Sequence, residues 1–363
     1  MTDIFTGSYT PNDVQFLLKP IEIEHTPIQA KEAFIQSGKK HYSEMLSHES
    51  LPSDRYVTLF HEALVNNSDR LARHLILLAQ RIIVTRDQGI TLVSLARAGT
   101  PIGVLLKHIL KRYFNTEASH YSISIIRDIG IDSNALRYLL DRHTPESLVF
   151  VDGWTAKGVI AQQLARSLET FFRQTGITIP PELYVVSDLC GFATVAASSE
   201  DYLIPSSLLN ATVSGLVSRS VYNEVYLNTH DFHGCMYYQQ FEPHDLSRFF
   251  IDTILASVDS AWTSCRKQAA IEPDRQQLQV ISEQLLRRIS QQYGVSGHAY
   301  IKPGIGEATR VLLRREARSL LLQQSDSEET RHLRWLAESR LIPITILNDL
   351  PYRAVALIKE IPS

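Results

Sequence analysis

Cysteine is scarce in this chain: three in 363 residues, at Cys190, Cys235 and Cys265. An odd, widely spaced set excludes a disulfide framework and fits a reducing compartment. No apolar run approaches the ~20 residues that a membrane span requires. The opening "MTDIFTGSYTPNDVQF" has neither the basic flank nor the apolar core of a secretory signal. The expectation is a cytoplasmic protein with no membrane partner. A charge excess is lacking too: the formal net charge is -3, so any attraction to nucleic acid must come from a local patch. There is no internal repeat and no low-complexity tail. What remains is an ordinary globular composition, 44% hydrophobic and 21% charged, in a chain long enough for two domains.

Apolar spacing of three and four marks helices in "IQAKEAFIQSGKKHYSEML" and "RYVTLFHEALVNNSDRLARHLILLAQRII". From residue 90 to 188 strands alternate with helices. The strands are "ITLVSLA", "SHYSISIIRD", "SLVFVD" and "ELYVVSD"; the helices are "PIGVLLKHILKRYF", "SNALRYLLDRH", capped by Ser133, and "AKGVIAQQLARSLETFFRQTG". This order predicts an α/β fold, a mainly parallel sheet with helices on both faces. Residues 1–265 then form one domain, with a helical N-terminal region (1–88), a core (89–188) and an irregular hood (189–265). A Gln- and Arg-rich linker helix spans 266–297, and 298–363 form a second, small α/β unit.

Ligands of parallel sheets bind beyond the carboxyl ends of the strands. Three such ends carry unusual loops: "RAGT", "RDIGID" and "DGWTAKG". The last lacks the Lys-Thr ending of a P-loop and the three spaced glycines of a dinucleotide turn. It does offer backbone amides at a helix start, which favour an anion, beside the carboxylate of Asp152, which accepts sugar hydroxyls. Gly153 and Gly158 permit close approach, Thr155 adds a hydroxyl and Lys157 a positive charge. The same residues also suit a plain turn, with Asp152 as a cap and Lys157 solvated. The neighbouring "LARAGTPIG", with Arg97 and small residues before a helix, favours the anion reading.

These loops resemble those of type I phosphoribosyltransferases. "VFVDGWTAKG" is similar to their phosphoribosyl-pyrophosphate loop, and "LARAGTPIG" to their pyrophosphate loop. Over nearly its full length the chain resembles the phosphoribosyltransferase-like family of tellurium-resistance stress clusters, also labelled cysteine protease StiP. "GSYTPNDVQFLLKP", "IQSGKKHYSEML", "ISIIRDIGID" and "IPSSLLNATVSGLVSRS" carry that likeness. It implies a type I phosphoribosyltransferase-like fold binding magnesium and phosphoribosyl pyrophosphate, or a nucleotide-like ligand, and transferring the sugar to a base-like acceptor. The implied setting is metabolite synthesis or RNA modification in a stress response. Asp152, Gly153, Trp154, Thr155, Ala156, Lys157 and Gly158 would hold the ribose phosphate, and Arg97, Ala98, Gly99 and Thr100 the pyrophosphate. The family pattern has a second acid where Gly153 stands and a glycine where Ala156 stands. Arg127 and Asp128 are candidates to serve catalysis in place of that missing acid; an ordinary surface ion pair explains them equally well. Asp188, Ser214 and Arg219 are candidates for the acceptor.

"PGIGEATRVLLRR" resembles the turn of Pelota-type RNA-binding domains, which implies RNA contacts at Gly306, Glu307, Thr309, Arg310, Arg314 and Arg315. From Lys302 to Arg318 there are five basic residues against two acids, a modest patch that also suits a solvated helix face. "THDFHGCMYY" gathers His230, Asp231, His233 and Cys235, but with no standard zinc spacing, so packed histidines are the simpler reading. Two rivals to the transferase stand: a non-catalytic ligand sensor with RNA binding, and a thiol protease using Cys190 or Cys235. A homodimer is compatible with each.

Overall fold

In the computed structural model of the chain, residues 5–86, 88–268 and 273–360 are described. Residues 269–272 of the expected linker, 1–4 of the first domain and 361–363 of the last lie outside them. Six strands form one sheet: β1 (Gln15–Leu17), β2 (Ile90–Leu95), β3 (Ala118–Ile123), β4 (Leu148–Thr155), β5 (Leu183–Asp188) and β6 (Val195–Ser198). Their order is β1-β3-β2-β4-β5-β6, and every neighbouring pair is parallel. β2 and β5 are buried along their whole length, as a sheet covered on both sides demands.

Alternate residues of each strand feed two cores. Leu92, Val149, Val151, Tyr184 and Val186 pack against α2 (Asp54–Thr85), α3 (Gly99–Phe114) and α6 (Ser247–Cys265). Val93, Leu95, Phe150, Val185 and Leu183 face α4 (Ser133–Leu140) and α5 (Val159–Thr175). The predicted α/β architecture is therefore the one observed. The four long strands were visible as apolar runs. β1 and β6, with three and four residues, are too short to show a period.

Two local readings change. The cap of α4 is Asp132, whose Oδ1 accepts the N–H groups of Asn134 and Ala135. Its Oδ2 accepts that of His233, 2.6 Å away, so one carboxylate ties the hood to the core. β4 runs three residues past its predicted end, because Trp154 and Thr155 still pair with Ser187 and Asp188 on β5.

The second unit has strands β7 (Ile301–Pro303), β8 (Ala317–Leu322), β9 (Ile344–Ile346) and β10 (Ala354–Ile358), ordered β7-β10-β8-β9. α8 (Ile305–Arg314) and α9 (Arg331–Ser339) cover one face, and their Ile305, Val311, Leu312 and Leu333 belong to the same continuous core as the first domain. On the other face α7 (Arg275–Tyr293) buries Leu285 and Ile289 against Ile301, Leu321 and Leu357, together with Ala156 and Leu189 of the first domain. Thus α7 packs with the second unit, and the two units share apolar cores. Among the described residues no helix is long and apolar enough to cross a membrane.

His120 is buried between the Asp13 carbonyl and the Ser94 hydroxyl, each 2.8 Å away, and burial pushes its pKa down to about 3. Unfolded, the ring takes a proton below about pH 6.5. Its stabilising contribution is therefore present at pH 7 and shrinks as the pH falls from 6.5 toward 3. The stability cost of His120→Gln should be smaller at pH 4.5 than at pH 7, by up to ~2 kcal/mol, in paired urea unfolding. An unchanged cost would show that the ring is not held neutral.

Candidate functional site

Beyond the carboxyl ends of β2 and β4, where α8 of the second unit approaches, lies a cleft of about 210 Å³. Asp152, Trp154 and Ser214 line it, with four arginines: Arg97 and Arg219 from the first domain, Arg310 and Arg314 from α8. The sequence reading placed each of these at a ligand site, but in four separate groups. The fold brings them into one.

Packing fixes the arginines. Arg97 is buried, donating from Nη1 to the Val217 carbonyl at 2.6 Å and pairing with Glu49 at 3.0 Å. Against the pull of burial, Arg97 and Arg314 hold the Glu49 carboxyl below its ordinary range. Arg219 donates to the Tyr42 and Met45 carbonyls. Arg310 lies over the Trp154 ring, 4.4 Å from its centre, and pairs with Glu307 at 2.9 Å. Arg314 bonds the Asn210 side chain. Burial, then the neighbouring guanidinium of Arg97, lowers Arg314 to about 9; burial lowers Arg219 to about 10. Burial raises Asp152 to about 6, opposed by Arg310 and by the Gly153 N–H. Three of the side chains that line the cleft also carry a buried polar atom without a partner, away from the open space: Arg314 Nε, Trp154 Nε1 and Ser207 Oγ.

The two expected anion cradles are built differently. Thr155 is still in β4, its Oγ1 accepting the Gly158 N–H at 3.1 Å. Ala156 is buried against the second unit, and Lys157 Nζ donates to the His298 and Ile301 carbonyls at 2.6 and 2.8 Å. The segment expected to wrap a phosphate instead docks the second unit, and only Asp152 and Trp154 of it line the cleft. In the other loop Ala98 lines the cleft, but the Thr100 hydroxyl turns inward to Ser122 at 2.7 Å. A Cβ on Gly99 would meet the Val151 carbonyl at 2.3 Å, so this glycine serves helix-to-strand packing.

The remaining candidates fall outside the cleft. Arg127 and Asp128 pair with each other at 3.0 Å on the surface. Asp188 is buried and accepts the N–H groups of Cys190, Gly191 and Ala193, which closes a turn. Of the residues expected to read RNA, Gly306 lies against Trp154 and Thr309 is buried on His332. Arg315 forms a two-pronged pair with the buried Glu32. Gly306 and Arg315 thus meet the first domain, while Thr309 is turned into the second unit's own interior. Glu49 and Asn210, which position two of the arginines, were not among the expected site residues: Glu49 sits in a segment with no motif, and Asn210 lies within "IPSSLLNATVSGLVSRS" without a signal of its own.

Among the described residues no group of three or more His, Cys, Asp and Glu side chains could hold a metal. Magnesium does not fit the cleft: one carboxylate faces four guanidinium groups, whose charge repels a divalent cation. All three thiols are buried. Burial pushes those of Cys190 and Cys235 up, and Asp188, 3.3 Å from Cys190 Sγ, adds to the first. His233, near Cys235 in sequence, bonds the Ser124 hydroxyl instead.

Among solved structures the chain is similar to hypoxanthine phosphoribosyltransferase from Trypanosoma cruzi. The TM-score is 0.27 at 16% identity over 37% of this chain and 82% of that one; with the product IMP bound it is 0.25 at 14% over 50% and 93%. Likeness at that level carries no functional argument. The profile of the Pelota RNA-binding domain matches residues 280–360. The profile described as tellurite-like stress resistance cysteine protease StiP matches residues 7–255. The protein named cysteine protease StiP from Acinetobacter baylyi is 41% identical over 374 aligned residues, 98% of this chain and 95% of that protein. These matches overturn the expectation of a phosphoribosyltransferase using magnesium and phosphoribosyl pyrophosphate: both name a protease, and the loop that reading relied on is spent on docking. By a profile covering most of its length and a relative aligned nearly end to end, this chain belongs to the tellurite-like stress resistance cysteine protease StiP family.

Proposed function

We propose that the seam cleft binds a phosphate-bearing ligand, and that this ligand is the end of a single-stranded RNA. The observation that carries it is the convergence of four arginines and Asp152 on one cavity. Guanidinium groups are suited to phosphate oxygens through paired, charge-assisted hydrogen bonds. Mutual crowding, which lowers Arg314, is relieved when an anion enters. The Asp152 carboxylate is placed to accept a 2′-hydroxyl, the group that separates RNA from DNA. The Pelota match supports RNA as the source of the phosphates.

Fluorescence anisotropy with labelled tetra-adenylate tests this. Arg310→Gln should weaken binding about tenfold, the size of one charge-assisted hydrogen bond, and make the dependence on salt shallower. Asp152→Asn should erase a preference for ribose over deoxyribose. In the unmodified protein that preference should grow from pH 5 to pH 7, because Asp152 loses its proton near pH 6. Absence of binding at millimolar ligand, or binding indifferent to both substitutions, overturns the reading.

The family description and the Acinetobacter relative's name favour a second reading, thiol-dependent proteolysis. Of the three thiols, Cys190 is the one just beyond the carboxyl end of a central strand, 3.7 Å from the Thr155 hydroxyl. Burial and then Asp188 push its pKa up, so nucleophilic attack requires that the thiol be uncovered and ionised. Cleavage of an unfolded protein substrate should be lost in Cys190→Ser and kept in Cys235→Ser and Cys265→Ser. Cleavage that survives all three substitutions rules out a thiol nucleophile.

A further inference from the structure

A second cavity, about 400 Å³, meets the cleft at Arg97, Asn210, Arg219 and Arg314, which line both. Its far wall joins α1 (Ile28–Gln36) and the start of α2 to the end of α9, and contributes Lys31, Tyr56, Trp335 and Arg340. Five cations thus face it, Lys31 and Arg340 besides the three shared arginines, against one acid, Glu49, itself engaged by Arg97. Tyr56 and Trp335 stand side by side, ring centres 6.1 Å apart.

This set carries two chemistries at once. Cations tracking a backbone beside aromatic faces are what single-stranded nucleic acid uses, phosphates on the one and bases on the other. A hydrophobic ligand would leave the cations without a counter-charge. A lone inorganic anion would leave the aromatic wall unused. Size points the same way: at about 210 Å³ the cleft is below the usual ligand range of about 300–1,000 Å³, whereas the second cavity lies within it. We infer that this cavity holds a further nucleotide of the RNA whose end occupies the cleft, so the ligand class is an oligonucleotide rather than a mononucleotide. The inference rests on the cleft reading above and adds a second subsite to it. Burial, then Arg219 and Arg315, bring the Lys31 pKa down to about 7, and a phosphate beside it would favour its charged form.

The test compares AMP and tetra-adenylate binding to the full chain by calorimetry, in the unmodified protein and in Lys31→Gln, Trp335→Ala and Arg310→Gln. Tetra-adenylate should bind at least about tenfold more tightly than AMP. Trp335→Ala should remove that advantage, a loss of roughly five- to hundredfold for one stacked base, and leave AMP unchanged. Lys31→Gln, which leaves the apolar packing intact, should do the same more weakly and with an unchanged melting temperature. It therefore decides the matter if Trp335→Ala folds poorly. Arg310→Gln should weaken both ligands. Equal affinity for AMP and tetra-adenylate, or Lys31→Gln acting on both alike, overturns the second subsite while the cleft reading stands. No binding of either ligand overturns both, and hexaglutamate competing as well as tetra-adenylate would reassign the cavity to an acidic peptide.

Discussion

Asp201 fixes how the two units meet. Its carboxylate, on the first domain, accepts the N–H of Ile305 at 2.9 Å and that of Arg353 at 2.8 Å, both on the second. The Ile305 N–H is the first of α8, so one contact caps a helix across a domain boundary and sets that helix's origin. Gly304, just before it, has φ +86°, and a Cβ there would meet Leu189 at 2.5 Å. Only glycine permits that approach. With the start of α8 pinned, Arg310 and Arg314 follow at a spacing of four, on one face of the helix, and that face is the cleft wall. Burial raises the Asp201 carboxyl to about 6 in spite of its two backbone donors, so the clasp is made at a desolvation cost.

That cost is set against apolar area on both sides of the clasp. Ala156 and Leu189 enter the core of the second unit, and Ile305 and Leu312 enter that of the first. Each fully buried leucine or isoleucine is worth roughly 1.5–3 kcal/mol, enough to offset a strained carboxylate and a crowd of arginines. The electrostatics of the cleft follow from packing in the same way. Glu49 and Glu307 neutralise part of the charge by pairing with Arg97 and Arg310, while the Tyr42 carbonyl holds Arg219 and the Asn210 amide holds Arg314. Four guanidinium groups thus stand against two paired carboxylates and Asp152, an excess of positive charge that an anion relieves.

What the sequence revealed divides along a physical line. The long strands and helices were legible because burial imposes a period on neighbouring residues. Asp152, Arg97, Arg219, Arg310 and Arg314 were legible as members of short motifs. Their meeting was not, because the motifs lie far apart in sequence and only docking joins them. Lys31, Glu49 and Asp201 carry no local signal, and Asn210 is hidden within a longer motif: each owes its role to what folds against it. Lys157 shows the converse. A lysine in a Thr- and Gly-rich turn suggests a phosphate, yet two carbonyls of the second unit take its donors. A motif states what a loop can bind; the rest of the chain decides whether that capacity is already used.

The same docking covers Cys190. Tyr352 donates to the Leu189 carbonyl at 2.8 Å, while Arg275 and Gln279 donate to that of Gly191 at 3.3 and 2.9 Å. All three donors belong to the second unit or to α7, which packs with it. Movement of that unit away from the thiol would break the Asp201 clasp and draw Arg310 and Arg314 out of the cleft. By linkage, a ligand that bridges the cleft from both sides stabilises the docked state and keeps the thiol covered. The two proposed activities, nucleic-acid binding and thiol chemistry, would therefore not be independent. They call on opposite states of one interface, so occupancy of the cleft opposes exposure of Cys190.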